Sequence, residues 1–298
     1  MKTLEIPLTH FRITQRLPDF WALGKPGIAG AVLLTTFFGF LIGSPPGAIL
    51  WKTLFHTLLG TALSALGTSA LNMLLEQNTD ALMSRTQNRP IPAGRIMPIE
   101  AFLLGGFFTS LGIVHLSLSV GMLPGFLSAL TVVFYLVFYT PAKTTSRFNS
   151  FIGSVAGALP PLIGFSAAAG TLTLASGSLF AILFLWQFPH LISLGWIYRE
   201  DNEKAGIKIL PAIKKFTIAS AGLLFLASLL PYFLGLSGPL YLIPASFLSG
   251  YYLYKSARFA SSLNLASARG LFLASLVYAP LLLAFIVMGQ WGLPSLRP

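Results

Sequence analysis

Long apolar stretches alternate with short polar ones along most of this chain. Runs of about 20 mainly hydrophobic residues, separated by connections rich in Gly, Pro and charge, are typical of helices that cross a bilayer. We predict nine spans, at 26–43, 51–76, 97–118, 122–140, 149–170, 174–199, 216–234, 239–256 and 270–291. The predicted fold is therefore an all-α integral membrane protein, with nine transmembrane helices in one bundle.

The basic residues predict how this bundle is oriented. Of 19 Lys and Arg residues, only Lys52 and Arg297 fall in one alternate set of connections, and the other 17 fall in the opposite set. The positive-inside rule assigns the basic set to the cytoplasm. We expect a single domain over 1–298, with residues 1–25 as a cytoplasmic N-terminal segment and a periplasmic C-terminus.

Composition agrees with the membrane class and excludes some chemistry. The chain is 55% hydrophobic and 9% charged, and its net charge of +11 indicates basic loops at a membrane rather than a nucleic-acid partner. Because cysteine is absent, thiolate metal sites and cysteine nucleophiles are excluded. Residues 1–25 resemble neither a signal peptide nor a transit peptide, which favours a bacterial inner membrane.

Five of the eight acidic residues lie in two short windows, each at the end of a long apolar helix. In the first window Asn72, Glu76 and Asp80 recur every four residues, so a helix would place them on one face. Mg²⁺ takes such oxygen ligands together with phosphate oxygens, and Arg85 and Arg89 could clamp phosphate. The alternative is a solvated helix end, but the polar positions begin inside the apolar helix, which favours a metal and diphosphate site.

The second window holds Glu200, Asp201 and Glu203, on the same side of the membrane as the first. Two acidic helix ends on one side predict a central cavity that opens to the cytoplasmic side. Between the windows, Lys143 and Arg147 add hydrogen-bond donors. Pro160-Pro161 should break a span at membrane depth, which is tolerated where a helix lines a cavity.

His190 ends the run Trp186-Gln187-Phe188-Pro189-His190 within a predicted span. A single intramembrane histidine is most often a hydrogen-bonded contact between helices. A buried neutral histidine is also a natural axial ligand of haem iron. The sequence leaves both interpretations open.

Four stretches, in order, resemble the intramembrane UbiA-type prenyltransferases. They are Asn72 to Pro90 (N-x-x-x-E-x-x-x-D-x-x-M-x-R-T-x-x-R-P), Tyr139 to Lys143 (Y-T-P-x-K), Gly157 to Gly164 (G-A-x-P-P-L-I-G) and Leu185 to Gly206 (L-W-Q-x-P-H, then Y-R-E-D-x-x-x-A-G). Tyr198 and the Trp-Gln-x-Pro-His run favour a haem acceptor over a quinone precursor within this family.

The resemblance implies roles for individual residues. The expected catalytic residues are Asn72, Glu76, Asp80, Tyr139, Lys143, Tyr198 and Asp201. Diphosphate binding is expected from Arg85, Arg89, Lys143, Arg147 and Lys204, and haem binding from His190, Trp186 and Gln187. Mg²⁺ is the expected cofactor, with Asn72, Glu76, Asp80 and Asp201 as its ligands.

The implied reaction transfers a farnesyl group from farnesyl diphosphate to a vinyl group of protoheme IX (haem b), giving haem O and pyrophosphate. Both substrates and membrane lipid are expected partners, with haem A synthase or a terminal-oxidase assembly as protein partners. Two alternatives remain open. One is a quinone- or chlorophyll-type prenyltransferase, and the other is a membrane carrier, which should place its key ionisable residues nearer the bilayer midplane.

Overall fold

A computed structural model describes residues 13–291, and within them the chain forms helices and turns but no β-strand. The helices are α1 (Ile13–Leu23), α2 (Pro26–Gly43), α3 (Trp51–Leu75), α4 (Gln77–Leu82), α5 (Pro98–Ser119), α6 (Met122–Val132), α7 (Thr140–Thr145), α8 (Asn149–Ala158), α9 (Pro160–Ala169), α10 (Leu174–Ile197), α11 (Arg199–Lys204), α12 (Ile213–Ala227), α13 (Leu230–Phe233), α14 (Leu242–Ser262) and α15 (Leu265–Trp291). A π-helical segment, Val133–Tyr139, joins α6 to α7, and a 3₁₀ turn, Pro239–Tyr241, precedes α14.

Eight helical segments of residues 13–291 are long and apolar enough to cross a membrane. They are Pro26–Gly43, Trp51–Leu75, Pro98–Ser119, Met122–Thr145, Asn149–Ala169, Leu174–Ile197, Ile213–Phe233 and Leu265–Trp291. They follow eight of the nine predicted spans in order. The prediction of an all-α multi-pass membrane protein is confirmed.

The remaining predicted span, 239–256, corresponds to α14, which is 21 residues long but is not among those eight segments. Serines, tyrosines, Lys255 and Arg258 make this helix more polar than the others. Some of these polar groups are satisfied inside the bundle, since Ser249 Oγ lies 3.0 Å from the Tyr278 hydroxyl on α15. The count of nine spans stays a prediction.

The first and last spans meet, so the helices close into a bundle. Helix α15 packs against both α10 and α2, while α2 packs along α9 and α3 along α5. Gln290 Nε2 near the end of α15 donates to the carbonyl of Ile42 at 3.0 Å. This contact ties the last helix to the end of the first span.

The predicted break at Pro160-Pro161 is confirmed, since α8 ends at Ala158 and α9 begins at Pro160. The break allows close packing against α2, where a Cβ added at Gly39 would overlap the Pro161 carbonyl. Gly153 and Gly157 also permit close approach, because a Cβ at Gly153 would lie 2.7 Å from the Tyr139 ring. The lining of a central cavity by this break stays a prediction.

The N-terminal prediction is only partly covered by the structure. Residues 1–12 and Arg297 lie outside the described part of the chain. The described remainder of the predicted cytoplasmic segment forms α1, with an exposed Trp21. Tryptophan is enriched at membrane interfaces, so this helix is suited to the membrane surface.

We expect reporter fusions to place the two termini on opposite sides of the membrane, because nine is an odd number of spans. A cytoplasmic reporter should be active after residue 12, and a periplasmic reporter after residue 298. A fusion in the connection between α13 and α14 supplies the internal control. Both termini in the cytoplasm would show that α14 does not cross.

Gly164→Ala should destabilise the fold because an added methyl group would lie 2.6 Å from the Phe40 backbone nitrogen and overlap the Thr36 carbonyl. Overpacking of this kind costs about 1–3 kcal/mol. Thermal unfolding in detergent would measure the loss. Gly106→Ala is the matched control, since nothing lies within 4 Å of a Cβ at Gly106. Equal unfolding temperatures for the two variants would contradict this packing.

Candidate functional site

Asn72 is fully buried on α3 and joins three parts of the chain. Its Oδ1 accepts hydrogen bonds from Lys25 Nζ and from the Tyr135 hydroxyl at 3.3 Å. Its Nδ2 donates to Thr140 Oγ1 at 2.9 Å. The amide therefore links the start of α2 to the π-helical segment and α7.

Lys25 reaches Asn72 through an unusual backbone conformation. It lies just before Pro26 with φ +48°, in the left-handed region that side chains other than Gly rarely adopt. Such strain persists where surrounding contacts hold it and is common at functional sites. Burial, followed by the nearby Arg89 charge, lowers the pKa of Lys25 to about 7. Lys25 was not among the predicted site residues, although its position at the start of a span was a usable signal.

Asn72, Glu76 and Asp80 lie on successive turns, although the predicted single helix is interrupted at Glu76, since α3 ends at Leu75 and α4 begins at Gln77. The Glu76 amide donates to the Asn72 carbonyl at 3.0 Å, and the Asp80 amide donates to the Glu76 carbonyl at 2.7 Å. Glu76 forms an ion pair with Lys143 of α7. The Lys143 ammonium also lies 4.7 Å from the centroid of the Tyr139 ring. These contacts hold α7 against the end of α3.

Asp80 is 1% exposed and forms a 2.6 Å ion pair with Arg89. A carboxylate buried to this degree requires a charged partner. Each of the three oxygen-bearing residues is thus engaged by a different cation: Asn72 by Lys25, Glu76 by Lys143 and Asp80 by Arg89. We call these six residues the charge cluster.

The oxygen donors of the charge cluster are of the kind that Mg²⁺ prefers, namely carboxylates and an amide carbonyl. One oxygen of each of Asn72, Glu76 and Asp80 already accepts a hydrogen bond from a lysine or arginine side chain. Across residues 13–291, no group of three or more Asp, Glu and His side chains is arranged to hold a metal ion. The donor chemistry fits Mg²⁺, and the predicted ligand set of Asn72, Glu76, Asp80 and Asp201 stays a prediction.

Asp201 joins the two acidic windows instead of lying free. Its Oδ1 accepts from the Ser84 hydroxyl at 2.7 Å and amide at 3.2 Å, and its Oδ2 accepts from the Arg85 amide at 3.3 Å. The Ser84 hydroxyl and the backbone bonds lower the pKa of Asp201. The Arg85 guanidinium lies 5.0 Å from the centroid of the Tyr198 ring. Asp201 therefore fastens the loop after α4 to α11.

Arg147 and Lys204, predicted to bind diphosphate, are exposed. Arg147 lies between α7 and α8, and Lys204 is the last residue of α11. Asn149 Nδ2 donates to the Lys208 carbonyl at 2.7 Å, and the Lys208 amide donates to the Lys143 carbonyl at 2.8 Å. The segments that follow Arg147 and Lys204 are therefore tied to each other and to Lys143.

The three predicted haem-binding residues divide between two faces of α10. The Trp186 indole donates to the Ser275 carbonyl at 2.9 Å, and His190 Nδ1 lies 2.7 Å from Ser275 Oγ, both on α15. Gln187 Nε2 instead donates to the Ser154 carbonyl on α8 at 3.1 Å. Trp186 and His190 therefore form one group, and Gln187 belongs to another.

The hydrogen bonds around His190 determine its tautomer. Ser275 has one hydroxyl hydrogen, which it donates to the Phe272 carbonyl, so Ser275 accepts from His190 Nδ1–H. The neutral ring then keeps its lone pair on Nε2. Trp186 and Phe272 stack against the imidazole at centroid distances of 4.9 and 5.1 Å. This is the hydrogen-bonded interhelical contact that the sequence allowed, and a role of His190 in binding haem stays a prediction.

The chain is similar to curated bacterial proteins over nearly its whole length. A protein named "Protoheme IX farnesyltransferase" from Solibacter usitatus is 40% identical over 291 residues, covering 92% of this chain and 99% of the relative. A protein of the same name from Opitutus terrae is 36% identical over 290 residues, covering 94% and 97%.

Solved structures share the fold at lower sequence identity. A structure of digeranylgeranylglyceryl phosphate synthase has a TM-score of 0.76 at 20% identity, covering 93% of this chain and 99% of the other. A UbiA homologue from Archaeoglobus fulgidus, bound to GPP and Mg²⁺, has a TM-score of 0.65 at 18% identity, covering 90% and 99%. These likenesses confirm the fold.

One protein-family profile matches most of the chain. Its profile, described as the UbiA prenyltransferase family, matches residues 32–278, which include α3, the π-helical segment, α10 and α11. All four stretches noted in the sequence lie within that match. On this evidence the chain belongs to the UbiA prenyltransferase family.

Proposed function

We propose that this protein transfers the farnesyl group of farnesyl diphosphate to a vinyl group of protoheme IX, producing haem O and pyrophosphate. The named relatives, at 40% and 36% identity, support the haem acceptor. The charge cluster supports the diphosphate donor. Its three cations and three oxygen donors, gathered at the ends of membrane helices, suit a metal-bound polyanion better than a neutral ligand.

The cations of the charge cluster would bind the diphosphate. Lys25, Lys143 and Arg89 each already approach an oxygen atom, and phosphate oxygens are comparable acceptors. Hydrogen bonds to charged groups contribute about 1.5–3 kcal/mol each. Their summed positive charge would stabilise the negative charge that develops on the leaving diphosphate.

Mg²⁺ would be held by Asn72, Glu76 and Asp80, and it would neutralise charge on the departing diphosphate. The Archaeoglobus fulgidus structure, bound to GPP and Mg²⁺, supports this assignment by analogy. Asp201, on α11, would hold the loop that carries Ser84 and Arg85 in place through the hydrogen bonds it accepts from them.

Breaking the bond between farnesyl C1 and the diphosphate oxygen leaves an allylic cation. The Tyr135 and Tyr139 rings, 5.7 Å apart, adjoin the cluster, and the Tyr139 face already approaches the Lys143 cation. Aromatic faces stabilise cations in this way. The haem vinyl carbon attacks C1, and water adds to the resulting cation and releases a proton. His190, through Nε2, would ligate the iron and fix which vinyl group is presented.

The protein spans a membrane several times, and its placement is a further part of the proposal. We place it in a bacterial inner membrane with the charge cluster at the cytoplasmic face, on the asymmetry of its basic residues. A single domain over 1–298, a cytoplasmic opening to the site, and contact with haem A synthase or a terminal oxidase remain predictions.

Mass spectrometry of reaction products tests the proposal. Purified protein with Mg²⁺, haem b and farnesyl diphosphate should produce a haem that has gained one farnesyl group and one hydroxyl group. Asp80→Ala should reduce this turnover at least about 100-fold, because Mg²⁺ and Arg89 both lose a partner. Prenylation of an aromatic quinone precursor in place of haem would overturn the acceptor assignment.

Lys25→Met should raise the KM for farnesyl diphosphate by about tenfold or more, which corresponds to the loss of about 1.4 kcal/mol. Lys25→Arg should retain more of the affinity because it keeps the charge. Lys214→Met is the matched control, since Lys214 is exposed in the first turn of α12. Unchanged KM in Lys25→Met would remove Lys25 from the site.

His190→Ala should abolish haem O formation while keeping the affinity for farnesyl diphosphate. It should also shift the absorption band of haem bound to the purified protein, because iron loses its nitrogen ligand. Ser275→Ala is the control that removes only the partner of Nδ1 and should keep the haem band. If His190→Ala retains both the spectrum and the product yield, His190 is only a packing residue.

A further inference from the structure

Two histidines meet at the end of the bundle opposite the charge cluster. His56 lies in the second turn of α3 and His115 lies four residues before the end of α5. On α3, His56 precedes Glu76 by 20 residues, which is a helix rise of about 30 Å. That rise equals the thickness of the hydrocarbon core of a bilayer. The pair is therefore separate from the proposed prenyl-transfer site.

The geometry of the pair suits a shared metal ion. His56 Nδ1 lies 3.2 Å from His115 Nε2, with the two rings inclined at 45°. A tetrahedral zinc ion with Zn–N bonds of about 2.0–2.1 Å holds two ligand nitrogens about 3.3 Å apart. The observed separation therefore matches that of a zinc site, and the two rings need only turn from facing each other to point at one ion.

Close packing of the two helices sets this separation. Near His56, a Cβ added at Gly60 would lie 2.7 Å from the Leu116 side chain and 3.2 Å from the Gly112 carbonyl. Gly112 in turn packs against the backbone of Ser64. Because small residues allow the backbones to approach so closely, the histidines stand on a rigid frame. Rigid placement of ligands favours binding.

Space for further ligands adjoins His56. A cavity of about 400 Å³ is lined by Lys52, Thr53, His56 and Ser119. It can hold the water molecules that complete a four-coordinate site, and the Lys52 ammonium would attract an anion to one of those positions. Neutral imidazole is a good ligand for Zn²⁺, Cu²⁺ and Ni²⁺.

We propose that His56 and His115 form a binding site for a divalent transition metal, with Zn²⁺ as the ion that best matches the geometry. Water or an exogenous anion in the adjoining cavity completes the coordination. Binding moves the proton of the metal-free hydrogen bond to the other nitrogen of the same ring, so that both imidazoles bind the metal in their neutral form. The metal crosslinks α3 to α5 at this end of the bundle.

Zinc binding to the purified full-length protein tests the proposal, with an affinity tag that contains no histidine. Equilibrium dialysis against micromolar Zn²⁺ should give one ion per chain, and Co²⁺ should give the visible absorption of a tetrahedral site. His56→Gln and His115→Gln should each weaken Zn²⁺ binding at least tenfold. Glutamine can still bridge the helices by hydrogen bonding, so these variants should fold.

Two matched variants locate the ion. His190→Gln removes a histidine from the other half of the protein, and Glu76→Gln removes a carboxylate from the charge cluster. Both should keep the zinc stoichiometry and the cobalt spectrum. Zn²⁺ should also raise the unfolding temperature of the wild type but not that of the His56→Gln/His115→Gln double variant. Equal Zn²⁺ binding by the wild type and this double variant would overturn the site and leave the proposed prenyl transfer unaffected.

Discussion

Charge that is buried beside lipid must be compensated, and much of this structure follows from that constraint. The carboxylate of Asp80 is almost inaccessible, and Arg89 compensates it at 2.6 Å. Glu76 and Lys143 compensate each other between α3 and α7. Removing one partner of such a pair exposes the other to an apolar environment, which is costly. The residues proposed to hold the substrate thus also assemble the helices, and a polyanion with its metal would have to compensate the charges that it separates.

Much of the fold was predictable because membrane helices have strong local signals. Apolar length located eight spans, and Pro160-Pro161 located a helix break. Helix α14 was harder because some of its polar groups, such as Ser249 and Tyr252, form hydrogen bonds with neighbouring helices, and hydropathy does not register these bonds. The hydrogen bonds that Asp201 accepts from Ser84 and Arg85 were not predictable either, since they join segments more than a hundred residues apart in the sequence.

Within the candidate site, too, features set by local sequence were predictable, and features set by contacts between distant residues were not. The spacing of Asn72, Glu76 and Asp80 was sufficient to place them on successive turns. The contribution of Lys25 depends on a left-handed backbone that no local preference of Lys-Pro would suggest. On α10, helix geometry alone should have separated Gln187 from Trp186 and His190, because adjacent residues point about 100° apart whereas residues four apart share a face.

The π-helical segment Val133–Tyr139 has a consequence for comparing relatives of this protein. A π turn contains one residue more than the α turn it replaces, and such turns are frequent at functional sites. Loss of that extra residue would restore an α turn and leave the helix after it facing the same way. Lys143 would then still face Glu76. A relative that lacks the residue therefore needs a one-residue gap in this stretch when the sequences are aligned, because an alignment without the gap would pair the wrong residue with Lys143.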